Sequence, residues 1–144
     1  MAAEAQATAA LDVIFQFFHH WNTGAVDDAL AMLSDDVVYD RVSMSVVRGS
    51  ADVAALFCDF GIGTTYTVAW QITSFAVNEN VVFTERVDVF RHENGGAIVL
   101  PVMGTLMVVD ERISVWRDYF DVASFKRQLA AVGMRNPAGM PGSS

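Results

Sequence analysis

Between Asp59 and Glu79 the chain runs nineteen residues, Phe60 to Asn78, without a single charge. A stretch of that length is either a membrane-spanning helix or a long strand. The order of its residues separates the two. Tyr66, Val68, Trp70 and Ile72 alternate with Thr65, Thr67, Ala69, Gln71 and Thr73, a period of two that no lipid-facing helix carries. The segment therefore reads as a long strand with one mostly apolar face, and the rest of the chain must supply its partners and its cover.

The partners follow directly. From here to Tyr119 β-branched and aromatic residues dominate, and the breaks look like hairpin turns. The spacing predicts four strands, Thr65 to Val77, Val81 to His92, Ala97 to Val109 and Ile113 to Tyr119. Asn78-Glu79-Asn80, Glu93 to Gly96, and Asp110-Glu111-Arg112 join them into an antiparallel meander.

The cover comes from the helical first half. Ala3 to Trp21 reads as a helix with Leu11, Ile14, Phe15, Phe18 and Trp21 on its apolar face, ended by Asn22-Thr23-Gly24. A second helix, Ala25 to Leu33, buries Val26, Leu30 and Leu33 and breaks at Ser34-Asp35-Asp36. A strand begins at Val37-Val38-Tyr39, and an irregular stretch leads through Arg48-Gly49. Ser50 then serves as N-cap, with Asp52 in the first turn, for a third helix to about Phe60 that Gly61 and Gly63 stop. Asp121 or Ser124 caps a closing helix to about Val132, Gly133 ends it, and residues 134–144 form a loose Pro/Gly/Ser tail.

The expected architecture is α+β: a curved antiparallel sheet forming a cone, with three N-terminal helices and a C-terminal helix around an apolar pocket. At 144 residues this is a single domain. Hydrophobic residues make up 53% and charged ones 18%, with mean hydropathy +0.32, which excludes disorder and implies extra apolar surface in a cavity or a subunit interface. A net charge of -8 repels phosphate backbones and anionic headgroups, so neither nucleic acid nor a membrane is an expected partner. Cys58 is the sole cysteine, and Met1 to Ala10 lacks the basic start and apolar core of a signal peptide. Both features suit a reducing, cytoplasmic setting.

Within the second β-run, period two places Thr84, Arg86, Asp88 and Phe90 on one face and Phe83, Glu85, Val87 and Val89 on the other. In the last run Trp116, Asp118 and Phe120 share a side, so a carboxylate stands between aromatics. Each segment alone also fits a solvated ion pair or a capped Asp. If Asp88 and Asp118 face one apolar cavity beside Arg86, they supply the parts for paired acid and base work. Two carboxylates in a dry pocket do not both ionise cheaply, and a guanidinium can hold one charged while the other keeps its proton.

Val38-Tyr39, Phe83-Thr84-Glu85-Arg86-Val87-Asp88-Val89 and Trp116-Arg117-Asp118-Tyr119-Phe120-Asp121 resemble the limonene-1,2-epoxide hydrolase family, from about Phe15 to Leu129. That family shares its cone-shaped fold with ketosteroid isomerases and polyketide cyclases. The resemblance implies one-step hydrolysis of an apolar epoxide, with no metal, no cofactor and no covalent intermediate. Asp88 matches the general acid, Asp118 the base that activates water, Arg86 the bridge between them, and Tyr39 a water-positioning hydroxyl. Pocket walls would include Phe90, Leu100, Val102, Phe120 and Phe125. The family usually has an Asn two residues after the Tyr; Arg41 stands there, able to donate but not accept, with Asp40 as a possible partner. A cyclase or isomerase on the same fold, or a noncatalytic binding module, are the alternatives.

The remaining candidates are weaker. His19, His20 and His92 lack metal-ligand spacing, Gly61-Ile62-Gly63 is a turn, Cys58 reads as a buried small hydrophobe, and the methionines read as filler. Phe83, Val87 and Val89, opposite the pocket-facing residues, predict a homodimer through the outer face of the sheet.

Overall fold

A computed structural model describes residues 2–135. The tail expected from about residue 134 lies, beyond Arg135, outside the described residues. The chain runs α1 (Ala2–Asn22), α2 (Val26–Ala31), β1 (Leu33–Arg41), β2 (Val46–Arg48), α3 (Ser50–Phe60), β3 (Tyr66–Asn78), β4 (Val81–His92), β5 (Ala97–Val109), β6 (Arg112–Tyr119) and α4 (Val122–Gly133). The strands form one curved, unclosed six-stranded sheet in the order β2-β1-β6-β5-β4-β3. The β3–β6 meander is antiparallel throughout, as its turns require. β1 joins it parallel to β6, pairing Tyr39 with Trp116 and Arg41 with Asp118.

Helices α1 and α3 lie in the concave face, where an aromatic core gathers. Trp21 sits 4.9 Å from Trp70, and Phe17 meets Trp116 edge-on at 5.0 Å, measured between ring centres. β3 is an edge strand, and its outward backbone is closed at one point by the end of α1. Asn22 donates from Nδ2 to the Trp70 carbonyl at 3.0 Å and accepts the Trp70 amide at 2.7 Å.

The structure departs from several local expectations. The buried arc of α1 is Ile14, Phe17, Phe18 and Trp21, a spacing of i, i+3, i+4, i+7. Phe15 falls to the side of that arc, 42% exposed, edge-on to Phe75. Leu33 opens β1 and does not end α2, and Ser34-Asp35-Asp36 lie inside the strand. A register shift between Leu33 and Val38 absorbs them. The stretch read as irregular contains β2, antiparallel to β1 with Val38 opposite Arg48. The N-cap of α3 is Gly49, at φ 89°, with no side-chain cap; Ser50 is already helical. Cys58 is exposed, because α3 turns Val53 and Phe57 inward and the next position faces out. Asp121 does cap α4, its side chain accepting the Ser124 amide at 3.0 Å, but Gly133 belongs to the helix and Met134 caps it. No helix among the described residues is long and apolar enough to cross a membrane.

Candidate active site

The pleat of β4 turns Thr84, Arg86 and Asp88 into the concave face, where all three are buried, and leaves Phe83 and Glu85 outside. On β6 the same alternation buries Trp116 and Asp118. The register carries these residues into one place: Thr84 pairs with Gly104 of β5, and Gly104 pairs with Asp118.

Arg86 is the hub. Its Nε donates to Asp88 Oδ1 and its Nη2 to Asp88 Oδ2, each at 3.0 Å, a two-pronged bond along one edge of the guanidinium. Nη2 also donates to Asp118 Oδ2 at 3.0 Å, so one nitrogen bridges both carboxylates. Nη1 donates to Thr84 Oγ1 at 3.0 Å, and the Thr84 hydroxyl donates in turn to the Gly104 carbonyl at 3.1 Å. Below, the guanidinium carbon stands 4.8 Å from the centre of the Phe18 ring.

Burial alone would depress the pKa of Arg86, but Asp118 and Asp88 more than offset it, and the guanidinium keeps its charge. For Asp88 the balance runs the other way. Burial pushes its carboxyl up, Arg86 pulls it down by charge and hydrogen bond, Asp118 pushes again, and the result lies above the ordinary value. Asp88 thus holds its proton to higher pH than a solvated aspartate. Asp118 has one oxygen on Arg86, while its Oδ1 is buried and takes no donor from the described residues.

Tyr39 comes from β1, its ring stacked 4.2 Å from Trp116 and 5.6 Å from Phe57. Burial first, and then the nearby Asp118, raise its pKa well above the usual phenol value, so it remains a neutral hydroxyl. Arg41 does not pair with Asp40, which instead accepts from Arg117 Nε at 3.2 Å. The reason is strand phase. Asp40 and Arg41 point to opposite faces, and Asp40 lies opposite Arg117 in the register. Arg41 stays on the pocket side and donates through Nη2 to Ser45.

The pocket above the carboxylates encloses about 610 Å³ free of atoms, its open mouth included. Tyr39, Arg41, Asp88, Phe90, Leu100, Val102, Asp118, Phe120 and Phe125 all line it, so the sequence-derived residues gather in one cavity, with Arg86 enclosed beneath. Met44, Leu56, Phe57, Phe60, Ile62, Trp70 and Trp116 complete the wall. Of these, Trp116 shares a face with Asp118 and Phe120, Trp70 lies on the apolar face of the β3 run, and Phe57 and Phe60 lie on the apolar side of α3. Thr84 was in phase with Arg86 and Asp88. Met44 carried no signal. Outside the pocket, His92 accepts the Asn94 amide through Nδ1 and packs edge-on to Tyr66. His20 Nε2 lies 3.2 Å from Gln16 Nε2.

Fold and site together define a cone-shaped α+β protein with two carboxylates bridged by an arginine at the floor of an apolar pocket. The chain belongs to the limonene-1,2-epoxide hydrolase family: the profile of the limonene-1,2-epoxide hydrolase catalytic domain matches residues 8–131. It is 34% identical over 102 residues to the epoxide hydrolase EphG of Mycobacterium tuberculosis, a match spanning 67% of this chain and 62% of that protein. The structure of an LEH-like epoxide hydrolase from M. tuberculosis superposes with TM-score 0.74 at 29% identity, covering 88% of this chain and 96% of the other. A protein from Xanthomonas campestris named a polyketide cyclase superposes with TM-score 0.76 at 20% identity, covering 86% and 98% respectively. That last likeness is one of fold alone.

Proposed function

We propose that the protein is a cofactor-independent epoxide hydrolase that adds water to a bulky apolar epoxide of terpenoid, sterol or polyketide type. The observation that carries this reading is the bridging of Asp88 and Asp118 by a single Arg86 nitrogen, 3.0 Å from each, at the floor of an apolar pocket. Ionised Asp118 takes a proton from water held with the help of the Tyr39 hydroxyl. The water oxygen forms its bond to an epoxide carbon as the ring C–O bond breaks, and protonated Asp88 gives its proton to the departing oxygen. Water and epoxide become a vicinal diol, and a proton passing from Asp118 back to Asp88 restores the start. Arg86 keeps both carboxylates in place and carries the charge that lets one stay ionised. Phe90, Leu100, Val102, Phe120 and Phe125 hold the apolar part of the substrate.

Arg41 supports a second reading, an epoxide-opening cyclase or isomerase. It lies opposite Asp118 in the β1–β6 register, and a guanidinium swung from Ser45 to that carboxylate would exclude water from it. A product-resolved screen of apolar epoxides separates the two. Hydrolysis predicts vicinal diols; rearranged or internally cyclised products from every accepted epoxide would overturn it. We further propose a homodimer through the outer face of the sheet and a reducing, cytoplasmic setting, in keeping with a lone Cys58.

A further inference from the structure

Arg41 is the one cationic side chain on the pocket wall among the described residues. It has no carboxylate within ion-pair reach, since the pairs among those residues join Arg86 to Asp88 and Asp118, and Arg117 to Asp40. Its Nη2 reaches only Ser45, at 3.1 Å to Oγ and 3.4 Å to the carbonyl oxygen, both neutral acceptors. Its Nε is shut off from water and donates to no group among the described residues. Although Asp118 is its partner in the register, the guanidinium turns away from it toward Ser45, 5.8 Å from the centre of the Tyr39 ring.

With Asp88 protonated as the acid and Asp118 ionised as the base, the two carboxylates and Arg86 sum to zero. Arg41 is then the uncompensated positive charge of the pocket, in a chain whose net charge is -8. The half-buried guanidinium, its Nε out of water beside apolar walls such as Met44 and Phe120, has given up part of its hydration without gaining an anion. Its planar edge suits a carboxylate, as the Arg86 bond to Asp88 shows in the same site. One cation balances one negative charge, and the acidic surroundings disfavour a more highly charged phosphate.

We propose that Arg41 is a substrate-carboxylate subsite, so that the natural substrate is an apolar epoxide that also bears a carboxylate, held with its acid toward Arg41 and its epoxide over Asp88 and Asp118. This rests on the hydrolase reading for the placement of the epoxide, but its binding test does not. Calorimetry with two unreactive ligands, cyclohexylacetate and its methyl ester, should show the acid binding roughly tenfold or more tightly, as charge-assisted hydrogen bonds imply. Added salt should shrink the preference. Arg41→Gln should bring the ratio near one while ester binding persists, and Ser45→Ala, which keeps the cation, should preserve the preference. Equal affinities in the parent protein, or a preference that survives Arg41→Gln, would overturn the subsite. If Arg41→Gln loses the ester as well, Arg41→Lys decides: a retained preference supports the subsite and a lost one contradicts it. Turnover of epoxides in acid and ester form then separates the two claims. Diol formation with no acid preference removes the subsite and leaves the hydrolase; an acid preference in binding with neither epoxide turned over removes the hydrolase and leaves the subsite.

Discussion

Gly104 shows how much of this site depends on a side chain that is missing. It has no positive φ among the backbone angles, so alanine suits its conformation. A β-carbon there would nonetheless stand 2.5 Å from Arg86 Nη1 and collide with Asp118 Oδ1. Both are the ends of side chains and can move, so the fold survives while the alignment does not. Gly104→Ala should lower the thermal midpoint, because it displaces buried ion pairs, and lower kcat at least about tenfold, given the steep cost of misplacing reacting groups; unaltered kcat would show that the pair tolerates displacement. No sequence pattern announces such a residue, whereas Arg86, Asp88 and Asp118 were legible because charge on an apolar strand face is anomalous. Asp88 carries a second test. Its carboxyl is raised, so the folded protein holds that proton more tightly than the unfolded chain does. The resulting stability is complete below the ordinary value of 3.8 and is lost as pH rises through the raised one. Asp88→Asn cannot titrate, so denaturant unfolding should show it gaining on the parent with pH across that window. A constant difference would mean that Asp88 titrates normally. Turnover of the parent should fall with rising pH over the same range, as the acid loses its proton.

Hairpins made the meander readable, and the β5–β6 turn explains why. Val109 pairs with Arg112, leaving Asp110 and Glu111 as a two-residue loop with φ of 50° and 63°. Positive angles at both positions define the turn that matches strand twist, and Glu is strained there. Glu111→Gly should stabilise the protein by about 0.5–1 kcal/mol in urea unfolding, the size of the left-handed penalty less the added chain entropy; destabilisation would mean the Glu side chain makes a compensating contact. The β1–β2 region was less legible. Ser34-Asp35-Asp36 look like a break because their polarity masks a bulged strand, and the parallel pairing of β1 with β6 joins residues far apart in the chain, which no local pattern encodes. Cys58 and Phe15 lie outside the core for a related reason. Each is an apolar residue one step off a buried helical arc, and hydrophobicity alone does not fix the arc's edge.

At the scale of the whole molecule, the sheet buries one face and bares the other. On its convex side Phe83, Val99, Met103 and Tyr119 are 40–52% exposed, with Val89 opposite Val99 and Met103 opposite Tyr119 in register. Such a surface favours pairing with a second copy. Light scattering should give twice the 15.7 kDa chain mass, and Met103→Glu should shift the protein toward monomer; a monomer mass over a wide concentration range would contradict the dimer.

If Asp118 and Asp88 add a water molecule across an epoxide, as proposed, the oxygen of that water must appear in the product. Turnover of an accepted apolar epoxide in oxygen-18 water should give a diol carrying one labelled oxygen, and Asp88→Asn and Asp118→Asn should each abolish it while the fold is kept. An unlabelled product, or labelled diol formed at the parent rate by either variant, would rule out water addition by this pair.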